Sequence, residues 1–245
     1  MLPRARRFFF DAPYRSALLR DPGSFDRVIG TISPEILLNS AFGPLRWMGR
    51  ELWKIPKGHG MGYGIDAKKH PNRKWPPIIG YTGGESASIT AAMLAWSGAL
   101  GVITFVRVSS KPAFTVRLVD ATRESGSTMW SSGDSLNGRN PNPGADGNTL
   151  IIKDTDTVGT IVHELGHLLG LGHEQDRQDD PYAAAVRKKI MFGDEVAARN
   201  KANYRNYFEF DPGSIMLYGS GYQNRVAPSE TDAKTVLAMH DLLAT

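Results

Sequence analysis

Cysteine is missing from all 245 residues. No disulfide framework staples the fold, and no thiolate is available as nucleophile or metal ligand, so any metal site must be built from histidines and carboxylates. Also missing is an apolar run of the roughly eighteen residues that a membrane span requires. The nearest approach, AAMLAWSGALGVITFV at 91–106, is broken by Ser97, Gly98 and Gly101 and reads as core. Near the N-terminus, Phe8, Phe9 and Phe10 follow basic residues, but Asp11 interrupts before a hydrophobic region of secretory length can form, and no standard signal peptide is visible.

Charge of one sign is scarce as well. The net charge is only +4, with 41% hydrophobic and 22% charged residues, a composition that suits a soluble globular chain and excludes fibrous and disordered classes. The small excess is unevenly spread. Residues 1–75 hold 14 Lys and Arg against 6 Asp and Glu, whereas residues 76–245 hold 15 against 19. A basic N-terminal covering or pro-segment lying on an acidic remainder is one reading of this complementarity, and an independently solvated basic surface is the other. No aromatic-basic recognition motif accompanies the charge, so nucleic acid is not an expected partner.

Residues 1–74 are rich in Pro, Gly and Arg and read as an N-terminal extension, with a short helical candidate at 33–45 and a glycine-dense stretch, GHGMGYG, at 58–64. His59 and His70 have no partner at ligand spacing and read as surface residues. The texture changes at Trp75. PPIIGYT (76–82), VITFVRV (102–108), FTVRLVD (114–120) and NTLIIKD (148–154) have the β-branched and aromatic content of strands, and Glu85 to Ser97 reads as a helix with Ile89, Met93, Leu94 and Trp96 available for one face. Residues 131–148 concentrate Gly, Pro, Asn and Asp as an extended loop, where Asp134, Asn140 and Asp146 offer oxygens without the regular spacing of a calcium loop.

The chemistry concentrates in DTDTVGTIVHELGHLLGLGHEQDR, residues 154–177. Any of Asp154, Thr155, Asp156 and Thr157 can cap a helix start. On the helix that follows, His163 and His167 stand one turn apart on the same side, with Cβ atoms about 5–6 Å apart, a separation suited to two ligands on one metal. Glu164 neighbours the first, where in an HExxH helix its carboxylate reaches a metal-bound water rather than the metal. Gly170 sits where the helix should end in a sharp turn, which brings His173 back as a third imidazole. Three neutral imidazoles leave zinc a position for water and can lower its pKa toward about 7. Peptide hydrolysis is the consistent reaction, with Glu164 as general base.

HELGHLLGLGH resembles the zinc signature of the metzincins, and DPGSIMLYG (211–219) resembles that clan's methionine turn, with Met216 beneath the metal. Glu174 after the third histidine, Arg177 and Asp179 are similar to the continuing signature of the astacins, as is Tyr218 two residues after the methionine. Matrixins fit the histidine string equally well, but their turn places Tyr and Pro straight after Met, where this chain has Leu217 and Tyr218. The astacin resemblance covers about residues 75–245 and implies an α+β fold: a twisted sheet with the active-site helix (75–170), then a smaller C-terminal subdomain (171–245). It implies one catalytic Zn2+, a peptide or protein substrate paired to an edge strand, and secretion. Tyr218 takes the role of a movable zinc ligand that swings away to stabilise the oxyanion, and Glu174 that of a partner for a trimmed N-terminus, with a local Arg or Lys as its alternative partner.

The chain departs from that family in lacking disulfides, in Asp180–Pro181–Tyr182 after Asp179, and in Leu217 at a position that is usually histidine. Asp66 is the nearest candidate for a pro-segment carboxylate that displaces the zinc water. A zinc-stabilised module that binds peptides without cutting them is the alternative function, and the intact Glu164 argues against it.

Overall fold

The structure, a computed structural model, describes residues 62–120, 129–131, 138–141, 148–189, 193–218 and 222–243. Five strands form the main sheet: β2 (Ile78–Gly83), β3 (Thr104–Arg107), β4 (Phe114–Val119), β5 (Met129–Ser131) and β6 (Thr149–Lys153), in spatial order β3-β2-β4-β6-β5. All pairings are parallel except that of the edge strand β5, which runs antiparallel to β6, with Trp130 opposite Leu150. A second, two-stranded sheet pairs β1 (Gly62–Ile65) with β7 (Tyr204–Phe208), antiparallel.

Two helices position the site. Helix α1 (Ala87–Leu100) starts at Ser86, whose hydroxyl accepts the Ile89 amide, and stops at Gly101, whose φ of 69° is the left-handed conformation a terminating glycine readily adopts. Ile89, Met93, Trp96 and Leu100 recur every three or four residues and are buried. Leu94 does not share that face: one residue on from Met93 it is turned by about 100°, and it is 56% exposed. Helix α2 (Val158–Leu168) packs against α1, and Thr157 is the capping residue, accepting the Thr160 amide. The indole N–H of Trp96 crosses between the two helices to donate to the Val162 carbonyl at 2.8 Å.

Beyond α2, the chain adds α3 (Pro181–Arg187), α4 (Gly193–Asn200), β7 and α5 (Glu230–Met239). The arrangement is the α+β fold expected, with the five strands of the main sheet and helices α1 and α2 first and the smaller helices and β7 following. The packed unit nevertheless begins before Trp75. Strand β1 is buried along its whole length, and the Trp75 amide donates to Nδ1 of His240 on the C-terminal side. The helical candidate at 33–45, His59, Asp134 and Asp146 lie outside the described residues. Asn140 is buried, its main chain bonded through both N–H and C=O to the Asn148 side chain. Among the described residues no helix is long and apolar enough to cross a membrane.

Candidate metal centre

Helix α2 presents His163 and His167 one turn apart, as the spacing requires, and ends before Gly170. That glycine, at φ 107°, reverses the chain so that Leu171 and Gly172 lead back to His173. The three imidazoles converge, with one nitrogen from each lying within 4.8 Å of the other two. Nε2 of His167 and Nε2 of His173 are 3.0 Å apart. Two nitrogens bonded to one zinc at 2.0–2.1 Å in tetrahedral geometry would be about 3.3 Å apart.

The ring orientations are fixed from behind. Nδ1 of His163 lies 2.8 Å from the Ile215 carbonyl, and Nδ1 of His167 lies 2.9 Å from the Leu171 carbonyl. A carbonyl only accepts, so each Nδ1 carries the proton and each Nε2 turns a lone pair inward. At 3.0 Å the lone pair of His167 Nε2 faces His173 Nε2, which can meet it with the single ring proton of a neutral imidazole or, with that proton on Nδ1, share a cation with it. A second proton on any of the three rings is disfavoured. Burial, reinforced by His167, pushes His163 down to about 3, burial pushes His167 down to about 4, and His173 is held well below the ordinary histidine value for the same reason and by the other two rings. Three neutral, convergent imidazoles, two of them oriented by main-chain carbonyls, fit a metal ion such as zinc.

Glu164, next to His163 on α2, is buried, with 8% of its surface exposed. Tyr218 stands beside the cluster, its ring 4.3 Å from that of His173 and 5.6 Å, nearly parallel, from that of His163. Met216 is buried under the helix, where a Cβ at Gly166 would come within 2.5 Å of its sulfur, so glycine at 166 lets the turn approach closely. Three contacts weld this turn to the third histidine's loop and to the first: Glu174 N–H to Met216 O at 3.1 Å, Tyr218 N–H to Gln175 Oε1 at 3.1 Å, and the His163–Ile215 bond.

Glu174 is buried and served from within the described chain, its Oε1 accepting from Arg177 Nη1 and from the Asp211 amide, both at 3.0 Å. Burial raises its carboxyl above the usual range while Arg177 pulls the other way. Arg177 grips Asp179 with a two-pronged fork at 3.1 and 2.8 Å, so the local arginine is the partner observed. Asp66 is used locally, accepting from the Lys68 amide and lying 3.9 Å from Lys69 Nζ. His70, expected at the surface, is half-buried, with Nε2 3.2 Å from Asn203 Oδ1. No sequence motif points to Gln175, which holds the Tyr218 amide, to Asp232, which holds the Ile215 amide, or to Arg187. Arg187, from α3, donates to the carbonyls of Gln175 and Arg177 and ties down the segment after His173.

The family model Astacin (Peptidase family M12A) matches residues 80–242. Tolloid-like protein 1 of Homo sapiens is 27% identical over 188 residues, which cover 73% of this chain and 16% of that protein. Blastula protease 10 of Paracentrotus lividus is 42% identical over 82 residues, 30% of this chain and 13% of that protein. Astacin-like metalloprotease toxin 4 of Loxosceles laeta is 40% identical over 72 residues, 27% of this chain and 61% of the toxin. The chain thus spans only about a sixth of the length of Tolloid-like protein 1. Among solved structures, that of myroilysin superimposes with a TM-score of 0.50 over 73% of this chain and 98% of its own, at 19% identity, a likeness of fold.

Proposed function

The chain belongs to the astacin family, peptidase family M12A, and from that membership we propose that it is a zinc-dependent endopeptidase acting on peptide or protein substrates, with His163, His167 and His173 as the metal ligands and export as the setting the family suggests. The observation that carries this reading is the convergence of three neutral imidazoles, two of them oriented by main-chain carbonyls. Zinc, when bound, supplies a Lewis acid that polarises the scissile carbonyl and acidifies a water molecule.

Glu164 takes the proton from the attacking water and passes it to the leaving amine, so one carboxyl serves first as base and then as acid. Transfer of this kind typically contributes about 10²–10⁴ in rate. Tyr218 offers its phenol O–H to the negative charge that develops on the carbonyl oxygen, a role that the closeness of its ring to His173 supports. Met216 forms the apolar floor. Strand β5, an edge strand in contact with α2, is the strand against which an extended substrate pairs, giving affinity through main-chain bonds and leaving selectivity to side-chain pockets.

The test is cleavage of a quenched fluorescent peptide library by the full chain, with and without a zinc chelator, beside Glu164→Ala. Hydrolysis lost on chelation, restored by zinc and absent from Glu164→Ala is expected. Bound zinc with no hydrolysis of any peptide would favour the silent binding module, and hydrolysis indifferent to the chelator would remove the metal reading.

A further inference from the structure

Strand β1 lies upstream of the region the family model matches, yet it is bonded on both edges. One edge pairs with β7. The other receives the loop that joins α2 to the third histidine: Ile65 N–H donates to Gly170 O at 3.0 Å, Gly172 N–H donates to Tyr63 O at 3.0 Å, and Gly64 bridges Leu171 between them. The same loop carries the Leu171 carbonyl that orients His167. A short backbone segment from the N-terminal side therefore holds the path between two of the three imidazoles.

Side chains close the slot. The Tyr63 ring is buried and stacks on that of Tyr204, with centroids 5.4 Å apart. A Cβ at Gly172 would fall 2.7 Å from Tyr63 Cδ1 and 2.9 Å from Tyr204 Cδ1, so the peptide immediately before His173 runs through a gap with no room for a side chain. Glycine is needed at 172 for space; only Gly170 of the pair has positive φ.

We propose that Tyr63, with the strand that carries it, is a positioning residue of the metal centre: β1 fixes the Gly170–Gly172 loop so that His173 meets His163 and His167 without having to be ordered by the metal. The proposal rests on these three histidines being the zinc ligands. A loop with two glycines in three residues has more backbone freedom than most, and freezing it at the moment of binding would weaken affinity. A strand already bonded to it removes most of that cost.

Zinc affinity of the full chain, measured by competition with a chromophoric chelator, and the visible absorption of its cobalt(II) form decide the matter without reference to activity. Gly172→Ala is expected to bind zinc about 10- to 100-fold more weakly, the range seen when groups supporting ligands are lost, and to change the cobalt spectrum. Gly172→Ala combined with Tyr63→Ala is expected to bind more tightly than Gly172→Ala alone, because one wall of the slot has gone and the Tyr204 ring, the other wall, can move into its space. Tyr63→Leu, which removes the ring without adding a group at 172, carries the test if Gly172→Ala does not fold. Ile103→Val, in the core and outside this loop, is expected to leave affinity unchanged. Wild-type affinity in folded Gly172→Ala or in Tyr63→Leu, or equal weakening in Ile103→Val, would overturn the role of β1. Failure of the unaltered chain to bind zinc would overturn the metal reading on which it rests.

Discussion

The Asp232 carboxylate accepts the Ile215 amide at 2.9 Å, and the carbonyl of that same Ile215 lies 2.8 Å from Nδ1 of His163. Through one residue's backbone, the first turn of α5 thus reaches the first imidazole. Asp232 is buried and takes two further donors, the Ser214 hydroxyl at 2.6 Å and the Ser229 amide at 2.9 Å; the second is the return half of a capping box, so the one carboxylate serves a helix start as well as the methionine turn.

Replacing Asp232 with Asn keeps the size but sets an N–H2 against amide donors. A buried donor left unsatisfied costs about 1–3 kcal/mol, and slack in the His163 support should weaken zinc by about 10-fold or more. Urea unfolding of the metal-free chain and chelator competition measure the two effects separately. Unchanged zinc affinity alongside reduced stability would confine Asp232 to a helix cap.

Gln175 holds the Tyr218 amide. Tyr218→Phe should lower kcat by about 10²-fold, the loss of one donor to a developing oxyanion, while KM changes little. Gln175→Ala should move kcat in the same direction by a smaller factor, since it loosens the tyrosine without removing its hydroxyl. Steady-state kinetics on a single peptide check both. A rise in KM at constant kcat would place these residues in substrate binding.

His240 accepts the Trp75 amide at Nδ1 and donates from Nε2 to the Leu169 carbonyl, each at 3.0 Å, which requires the neutral ring. Burial pushes it down to about 4 from an ordinary 6.5. The unfolded chain therefore binds a proton that the folded one refuses throughout this interval, so stability is full above about 6.5 and falls as pH drops toward about 4. His163, His167 and His173 add slope of the same sign. The difference between the full chain and His240→Gln, neutral at every pH, isolates the His240 share in a series of thermal melts. Parallel pH profiles for the two would count against it.

Much of the centre was legible because its signals are local. The i, i+4 histidines, the glycine three residues after the second and the third histidine lie within eleven residues, and the helix between Thr157 and Gly170 forms as its caps and apolar pattern imply. Strand β1 carries no such signal: Gly-Tyr-Gly-Ile is too short and too glycine-rich to look like a strand, and its partner β7 lies about 140 residues further on. Leu94 lies off the buried face, and apolar character alone does not distinguish neighbours about 100° apart. Gln175 and Asp232 act through side-chain bonds to distant amides, and no periodicity in a sequence encodes such a bond.

The carbonyls that orient His163 and His167 have a consequence for how the centre tolerates mutation. A carbonyl is common to every amino acid, so the groups addressing the two rings survive any substitution at Ile215 or Leu171 whose bulk the buried surroundings accept. The burden of heredity falls instead on the neighbours that leave no such latitude: the glycine wedged between two tyrosines at 172 and the carboxylate at 232. Geometry stored in the route of the main chain can outlast wide drift in the side chains along it.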